Sequence, residues 1–123
     1  MVLPDDAPLD HVHPGIAAEV ADARRVGDVV WSAYVDSLPV AFAYAPWRSA
    51  AWFDISVDVD PSARQLGLGT IVAAAMIRDE RARGVREREP VWGADAQNAA
   101  SLALARRLGF VPVDEVWVIA PRE

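Results

Sequence analysis

The hydrophobic pattern changes period several times along the chain. In "PGIAAEVADARRVG" (residues 14–27), Ile16, Val20 and Ala23 recur at helical spacing on one side. Pro14 stands near the start of this segment and Gly27 just past its end, the usual asymmetry of helix punctuation. The period then shortens to two. "DVVWSAYVDS" (28–37) is rich in β-branched and aromatic residues and reads as a strand. "PVAFAYAP" (39–46) places Val40, Phe42 and Tyr44 on one side and alanines on the other. "AWFDISVDVD" (51–60) alternates most clearly: Phe53, Ile55, Val57 and Val59 share one face, and Asp54, Ser56 and Asp58 share the other. "VDSLP" is compact enough for a hairpin and "PWRSA" makes the second connection, so the middle of the chain is predicted as an antiparallel meander.

From residue 68 the helical period returns. "LGTIVAAAMIRDERARG" reads as a helix of roughly four turns, with Ile71, Val72, Ala75 and Met76 toward a core. Asp79 and Arg83 are spaced to pair at i,i+4, and Gly84 to cap the end. "PVWGADA" reads as a short apolar strand. "NAASLALARRLG" reads as a second helix, with Asn98 near its start and Gly109 as its stop. "FVPVDEVWVIA" supplies the last strand or strand pair. Helices between strands imply a mixed α/β sheet. The step from the third strand across the long helix to "PVWGADA" is expected to be a right-handed parallel crossover.

Size and composition narrow the picture. The 123 residues suit one domain with one core, and an apolar fraction of 53% argues against disorder. Residues 1–13, with Pro4, Pro8 and several aspartates, are expected to be loosely structured, leaving 14–123 as a single domain. The net charge of −6 argues against nucleic acid as main partner, while leaving room for a local anion site. The absence of cysteine excludes disulfides, thiolate metal sites and a cysteine nucleophile, and fits a reducing cytoplasm. No window approaches the ~20 apolar residues that cross a bilayer, and the acidic, proline-containing start does not read as a signal peptide.

The candidate chemistry begins at "DPSARQLGLGT". Pro61 ends a strand, and Gly67 and Gly69 remove side chains at the mouth of a helix. The first turn of a helix offers free N–H groups and a partial positive charge of about half an electron. Such a turn can cradle a phosphate, and Arg64 can add a charged contact. The Gly-Lys-Ser/Thr ending of a P-loop is absent, and so is the third glycine of a dinucleotide fingerprint. On these residues alone, a glycine-rich turn with no ligand fits as well.

Two motifs taken together carry more. Val59, Pro61, Arg64, Gly67 and Gly69 stand in the order Val-x-Pro-x-x-Arg/Gln-x-x-Gly-x-Gly/Ala. Asn98, Ser101, Leu102, Leu108, Gly109 and Phe110 follow in "NAASLALARRLGF". The segment from Val59 to Phe110 thereby resembles the GNAT superfamily of acyl-CoA-dependent N-acyltransferases. The resemblance implies a GNAT-like α/β (α+β) fold, a mixed, mostly antiparallel sheet with a central splay, flanked by helices and shortened at the N-terminus.

It also implies roles. The N–H groups from Leu66 to Thr70 (Leu66, Gly67, Leu68, Gly69, Thr70) would hold the pyrophosphate of coenzyme A, with a β-carbon at Gly67 blocking the approach. The pantetheine arm would lie along residues 55–59, against Val57 and Val59, where that strand splays from "PVWGADA". Asn98 would bond the pantetheine; Ser101 or Arg106 would lie near the adenosine end. An amine would attack the thioester directly, and a backbone N–H near Val57 would meet the oxyanion. Many relatives carry a tyrosine in the second helix as general acid; here that position is Ala105. The first strand and helix of the family have no clear counterpart, so the acceptor site is either open or completed by another subunit.

The side chains allow further readings. Asp54 and Asp58 point to one side of a strand and are candidate bases, Asp54 lying where some relatives carry a glutamate; both also read as solvated carboxylates. His11 and His13 make a poor metal site without a third ligand, so no metal is expected. Trp31, Trp52 and Trp117 read as core or sheet residues. Trp47, with Arg48, can line the acceptor site or a dimer contact, and Trp92 near the splay can do either. "RDERARGVRERE" reads as a solvated helix end. These observations lead to an expected acetyl-CoA-dependent N-acetyltransferase of unknown amine acceptor. The rivals are a non-catalytic acyl-CoA sensor or partner subunit, and a domain that binds no cofactor.

Overall fold

The computed structural model describes residues 1–82, 89–94 and 97–113. Its elements run α1 (Pro14–Arg25), β1 (Trp31–Val35), β2 (Leu38–Tyr44), β3 (Trp52–Asp54), β4 (Ser56–Val59), α2 (Leu68–Ala82), β5 (Glu89–Val91) and α3 (Ala99–Arg107), with a short 3-10 turn over Pro61–Ala63. β1, β2 and β4 form an antiparallel sheet in that order, and β3 pairs with β5 in parallel. The expected mixed, mostly antiparallel architecture is therefore present. The β1–β2 hairpin closes through Asp36 and Ser37, both left-handed with φ of 50° and 67°. Two such residues make the primed turn whose twist matches that of the flanking strands.

β2 explains the layering. Its alanines Ala41 and Ala43, followed by Ala45, lie in one core cluster with Val72 and Met76 of α2. Their small size lets the helix seat close to the sheet. Phe42 and Tyr44 point to the other face and pack with Val20 and Ala23 of α1. The sheet is thus covered by α2 on one face and α1 on the other. Full burial of side chains such as Phe42, Met76 and Val72 stabilises by about 1.5–3 kcal/mol each. Trp31 is buried among them, and its indole N–H donates to Asp79 Oδ2 at 2.7 Å, so the polar edge is satisfied.

Several expectations are corrected. The stretch 51–60 is one alternating pattern but two strands, in two sheets, broken at Ile55. The buried stripe of α2 is Gly69, Val72, Ala73, Met76 and Glu80. Ile71 sits about 100° around the helix from Val72 and is 58% exposed. Asp79 is taken up by Trp31, and its expected partner Arg83 lies outside the described residues, as do Gly84 and Trp117. Trp52 is a sheet residue, as expected, but more than half exposed. The strand expected over 90–96 spans Glu89–Val91, and 110–113 form no strand; the rest of "FVPVDEVWVIA" lies outside the described residues.

Residues 1–13 form no helix and only one isolated bridge, Val2 to Trp31. They are nevertheless docked. Leu3 and Val12 are buried in the α1-side cluster, and the Arg24 guanidinium donates to the carbonyls of Pro4 and Ala7.

Candidate functional site

The glycine loop is built from its anchor outward. Asp60 is buried at the end of β4. Its carboxylate accepts the Ser62 hydroxyl and the N–H groups of Ser62 (3.2 Å) and His13 (2.7 Å). The Ser62 hydroxyl, with these N–H donors, holds its carboxyl below the usual range. Gln65 and Gly67 then take left-handed φ of 67° and 75°, folding the chain back on itself before α2 begins. The first helical hydrogen bond runs from Ile71 N to Gly67 O, at 3.2 Å. The N–H groups of Leu66, Gly67, Leu68, Gly69 and Thr70 therefore have no backbone acceptor among the described residues.

The two glycines differ in purpose. Around the place a Cβ of Gly67 would occupy there is nothing within 4 Å, so this position demands glycine for its φ and leaves the surface open. At Gly69 a Cβ would stand 3.2 Å from Leu104 Cδ2 and 3.4 Å from Val59 Cγ2. Gly69 thus lets the start of α2 seat against β4 and α3. Arg64 is exposed beside the loop, with no ion pair among the described residues.

The splay lies at Ile55. Its N–H donates to Val91 O at 3.1 Å, the last link between the two sheets at this point. Beyond it, β4 continues against β2 alone. Asp60 N bonds Val40 O at 2.8 Å, and the register pairs Asp58 with Phe42 and Ser56 with Tyr44. The alternation of an antiparallel ladder turns the N–H and C=O of Val57 and Val59 the other way. They face the outer edge of β4, which has no strand partner among the described residues.

α3 closes the far side. Asn98 Oδ1 caps it by accepting Ser101 N at 3.1 Å. The Ser101 hydroxyl accepts the Trp92 indole N–H at 3.1 Å, and Trp92 stacks at a tilt on Phe110 with centroids 5.6 Å apart. Ala105 is buried, so the interior face of α3 presents a methyl there rather than a proton donor.

A family model described as GNAT acetyltransferase matches residues 31–118. The chain belongs to the GNAT acetyltransferase family. Among solved structures, a ribosomal-protein-alanine N-acetyltransferase from Brucella melitensis is 29% identical, with a TM-score of 0.61 over 77% of this chain and 60% of that one. YncA of Salmonella typhimurium, solved with its cofactor acetyl-CoA, is 27% identical, with a TM-score of 0.61 over 79% of this chain and 58% of that one. The aminoglycoside N-acetyltransferase AAC(6')-Iy, solved with CoA, shares the fold at 22% identity, with a TM-score of 0.68 over 88% of this chain and 89% of that one. No match is found among curated proteins. The chain spans about three fifths of the length of the first two structures.

The GNAT motifs meet in space as well as in order. Val57, Val59 and Gly69 touch one another's surroundings, and Leu104 of α3 abuts the same point. Asn98 and Ser101 sit at the start of α3, whereas Arg106 is exposed in its last turn. On the opposite face of the strand, Asp54 Oδ1 accepts the N–H of Ile55 at 3.0 Å, and burial pushes its carboxyl up. Asp58 Oδ2 is buried without a hydrogen-bond partner among the described residues, and burial, with Glu19 alongside, pushes its carboxyl up to about 7. Tyr44 and Ser56 complete this cluster, and burial raises the Tyr44 phenol.

Glu19, Tyr44 and Ser56 were not singled out by sequence reasoning. Their signal was faint: a lone glutamate beside buried Val20, and a tyrosine in an otherwise apolar strand. Other expected side chains have local duties. His13 Nδ1 caps α1 at Gly15 N, and His11 Nε2 bonds Pro39 O. Arg48 pairs with buried Glu80 at 2.5 Å, while Trp47 stands 76% exposed and its carbonyl accepts Asp54 N.

Proposed function

We propose that this GNAT chain transfers an acetyl group from acetyl-CoA to an amine by direct attack of the amine on the thioester. One observation carries the reading: the outer edge of β4, where the Val57 and Val59 N–H and C=O groups have no strand partner among the described residues, leads through the loop 60–67 to a helix start whose five N–H groups have no backbone acceptor among them. A pantetheine arm needs amide partners along an extended edge, and a pyrophosphate needs convergent donors. Val57 and Val59 would hold the arm, the N–H groups of Leu66 to Thr70 the pyrophosphate, and Arg64 its charge. Asn98 retains its side-chain NH₂ and Ser101 its O–H for donor contacts, with Arg106 toward the adenosine end. Relatives solved with CoA or acetyl-CoA support the same cosubstrate.

In the chemical step the amine nitrogen bonds to the acyl carbon and the C–S bond breaks. Val57 N–H meets the developing oxyanion, and the leaving thiolate needs little help, since a thiol's pKa is about 8.5. That matters because Ala105 offers no acid. The carboxylates Asp54 of β3 and Asp58 of β4 are the candidate bases. The acceptor is a small-molecule amine, or else a protein N-terminus or lysine. The setting is cytoplasmic, in keeping with a chain without cysteine, and among the described residues no helix is long and apolar enough to cross a membrane. A homodimer that completes the acceptor side belongs to the same reading.

Ala105 favours one rival, a GNAT module that binds acyl-CoA without turnover. Thiol release from acetyl-CoA over a panel of amines separates the two. Turnover with any amine supports the enzyme; binding without release over the whole panel supports the sensor.

A further inference from the structure

We propose that Asp60 is a positioning residue for acetyl-CoA: its carboxylate ties the chain leading into α1 to the chain leading into the glycine loop, so that holding the cosubstrate and docking residues 11–13 depend on each other. The inference rests on the reading of that loop as the acetyl-CoA site and names the residue that sets its shape.

Asp60 is buried where β4 gives way to the loop, and it is bonded on every side. Its N–H donates to Val40 O at 2.8 Å, which fixes it to β2. Oδ2 accepts the Ser62 hydroxyl and the Ser62 N–H, and Asp60 O accepts the Ala63 N–H at 2.9 Å. The 3-10 turn Pro61–Ala63, which leads into Arg64 and Gly67, is therefore wound on this one residue. Oδ1 turns to the other side and accepts the backbone N–H of His13, 47 positions earlier in the chain, at 2.7 Å. His13 is itself the cap of α1, its Nδ1 accepting the Gly15 N–H at 3.1 Å. His11 Nε2 donates to Pro39 O at 2.6 Å, and Val12 between the two histidines is buried in the α1-side core. Residues 11–13 thus cross the start of β2 and the end of β4, and Asp60 holds them there.

A carboxylate just before an anion site needs a reason, because its charge repels a phosphate. The donors around Asp60 hold its carboxyl below the usual range, so it stays ionised at neutral pH. No ion pair joins it to a cation among the described residues. What it supplies is direction, since charge-assisted hydrogen bonds to N–H groups are shorter and stronger than neutral ones. They fix the turn from which Gln65 and Gly67 fold back, and that fold aims the N–H groups of Leu66 to Thr70. Releasing either side of Asp60 frees the loop to rotate about the end of β4, and its donors no longer converge on one pyrophosphate.

The test uses the full chain, with acetyl-CoA as the probe. Calorimetric titration compares wild type with Asp60→Ala, Asp60→Asn, His13→Ala and His13→Pro. His13 has φ of −48° and ψ of 132° and precedes a proline, so a proline is accommodated there. His13→Pro deletes the imidazole and the N–H that Asp60 uses, whereas His13→Ala deletes the imidazole alone. Affinity is expected to fall ~10-fold in Asp60→Ala and in His13→Pro, and less in Asp60→Asn, which keeps one acceptor oxygen. His13→Ala should bind like wild type. In wild type, saturating acetyl-CoA should slow amide exchange at His13 several-fold, and more than at Leu3, whose N–H bonds Val30 O away from Asp60. A purely structural tie would leave the His13 rate indifferent to the cosubstrate. Undiminished affinity in Asp60→Ala or His13→Pro, equal losses in His13→Pro and His13→Ala, or His13 exchange that ignores acetyl-CoA each overturns the proposal. If Asp60→Ala does not unfold cooperatively, the His13 variants and the exchange rates decide. A wild-type chain that binds no acetyl-CoA overturns the reading of the loop, and the positioning role with it.

Discussion

The two faces of β4 do different kinds of work. Toward α2, Val57 and Val59 press on Gly69, and what remains available is backbone: N–H and C=O groups at an open edge, then a bare helix start. Toward α1, Asp58 meets Glu19 and Tyr44, and what is available is ionisable side chains. The first face is assembled from residues close together in the chain and depends on glycine and strand register. The second is assembled from α1, β2 and β4 and depends on how those elements pack. Backbone groups at an edge tolerate varied side chains; a cluster of ionisable side chains does not.

The largest expected effect comes from Gly67→Val. A β-branched residue at φ of +75° is strained and its side chain fills the open space above the loop. Acetyl-CoA affinity should fall by ~100-fold or more, about 2.7 kcal/mol, in calorimetric titration. Unchanged affinity would erase the distinction between the faces. Gly69→Leu comes next. Contacts already at 3.2 Å and 3.4 Å for a single carbon leave no room, and overpacking of this kind costs about 1–3 kcal/mol. A chemical denaturation curve matching wild type would show that α2 does not seat as described.

The α1 face gives a pH signature. A carboxyl raised in the folded state binds its proton more tightly there than in the unfolded chain. Its contribution to stability is therefore greatest at low pH and is lost as pH climbs from the ordinary carboxylate value, 3.8, toward about 7. Asp58→Asn removes this loss. Its melting temperature, compared with wild type, should rise more at pH 8 than at pH 4; an equal difference at both would contradict the buried pair. The smallest effect is expected from Asp54→Asn. Its carboxylate serves Ile55 N–H, so turnover should change by less than ~10-fold, well short of a lost general base.

How far these features could be read from the chain follows from the same contrast. Pro14, Gly27, Asn98 and Gly109 punctuate helices through local backbone chemistry, and α1 and α3 begin and end beside them. The alternation in "PVAFAYAP" became two buried faces of β2. The break at Ile55 was not legible, because Phe53 and Val57 alternate without interruption and only the pairing partner changes. Ile71 misled because a helix stripe is narrower than its apolar content suggests, and Val72, Ala73 and Met76 occupy it. Asp58 was seen as a carboxylate on a polar face. That this face is covered by α1, with Glu19 against it, is a contact across 39 positions, and no local pattern encodes it.

The central claim is that the loop from Arg64 to Thr70 and the open edge of β4 hold acetyl-CoA. Thermal unfolding with and without the cosubstrate tests it most directly. Acetyl-CoA at 100 times its Kd should stabilise the chain by about 2.7 kcal/mol, and Gly67→Val, unfolding cooperatively on its own, should show no such shift. A wild-type curve that saturating acetyl-CoA leaves unmoved would contradict the account.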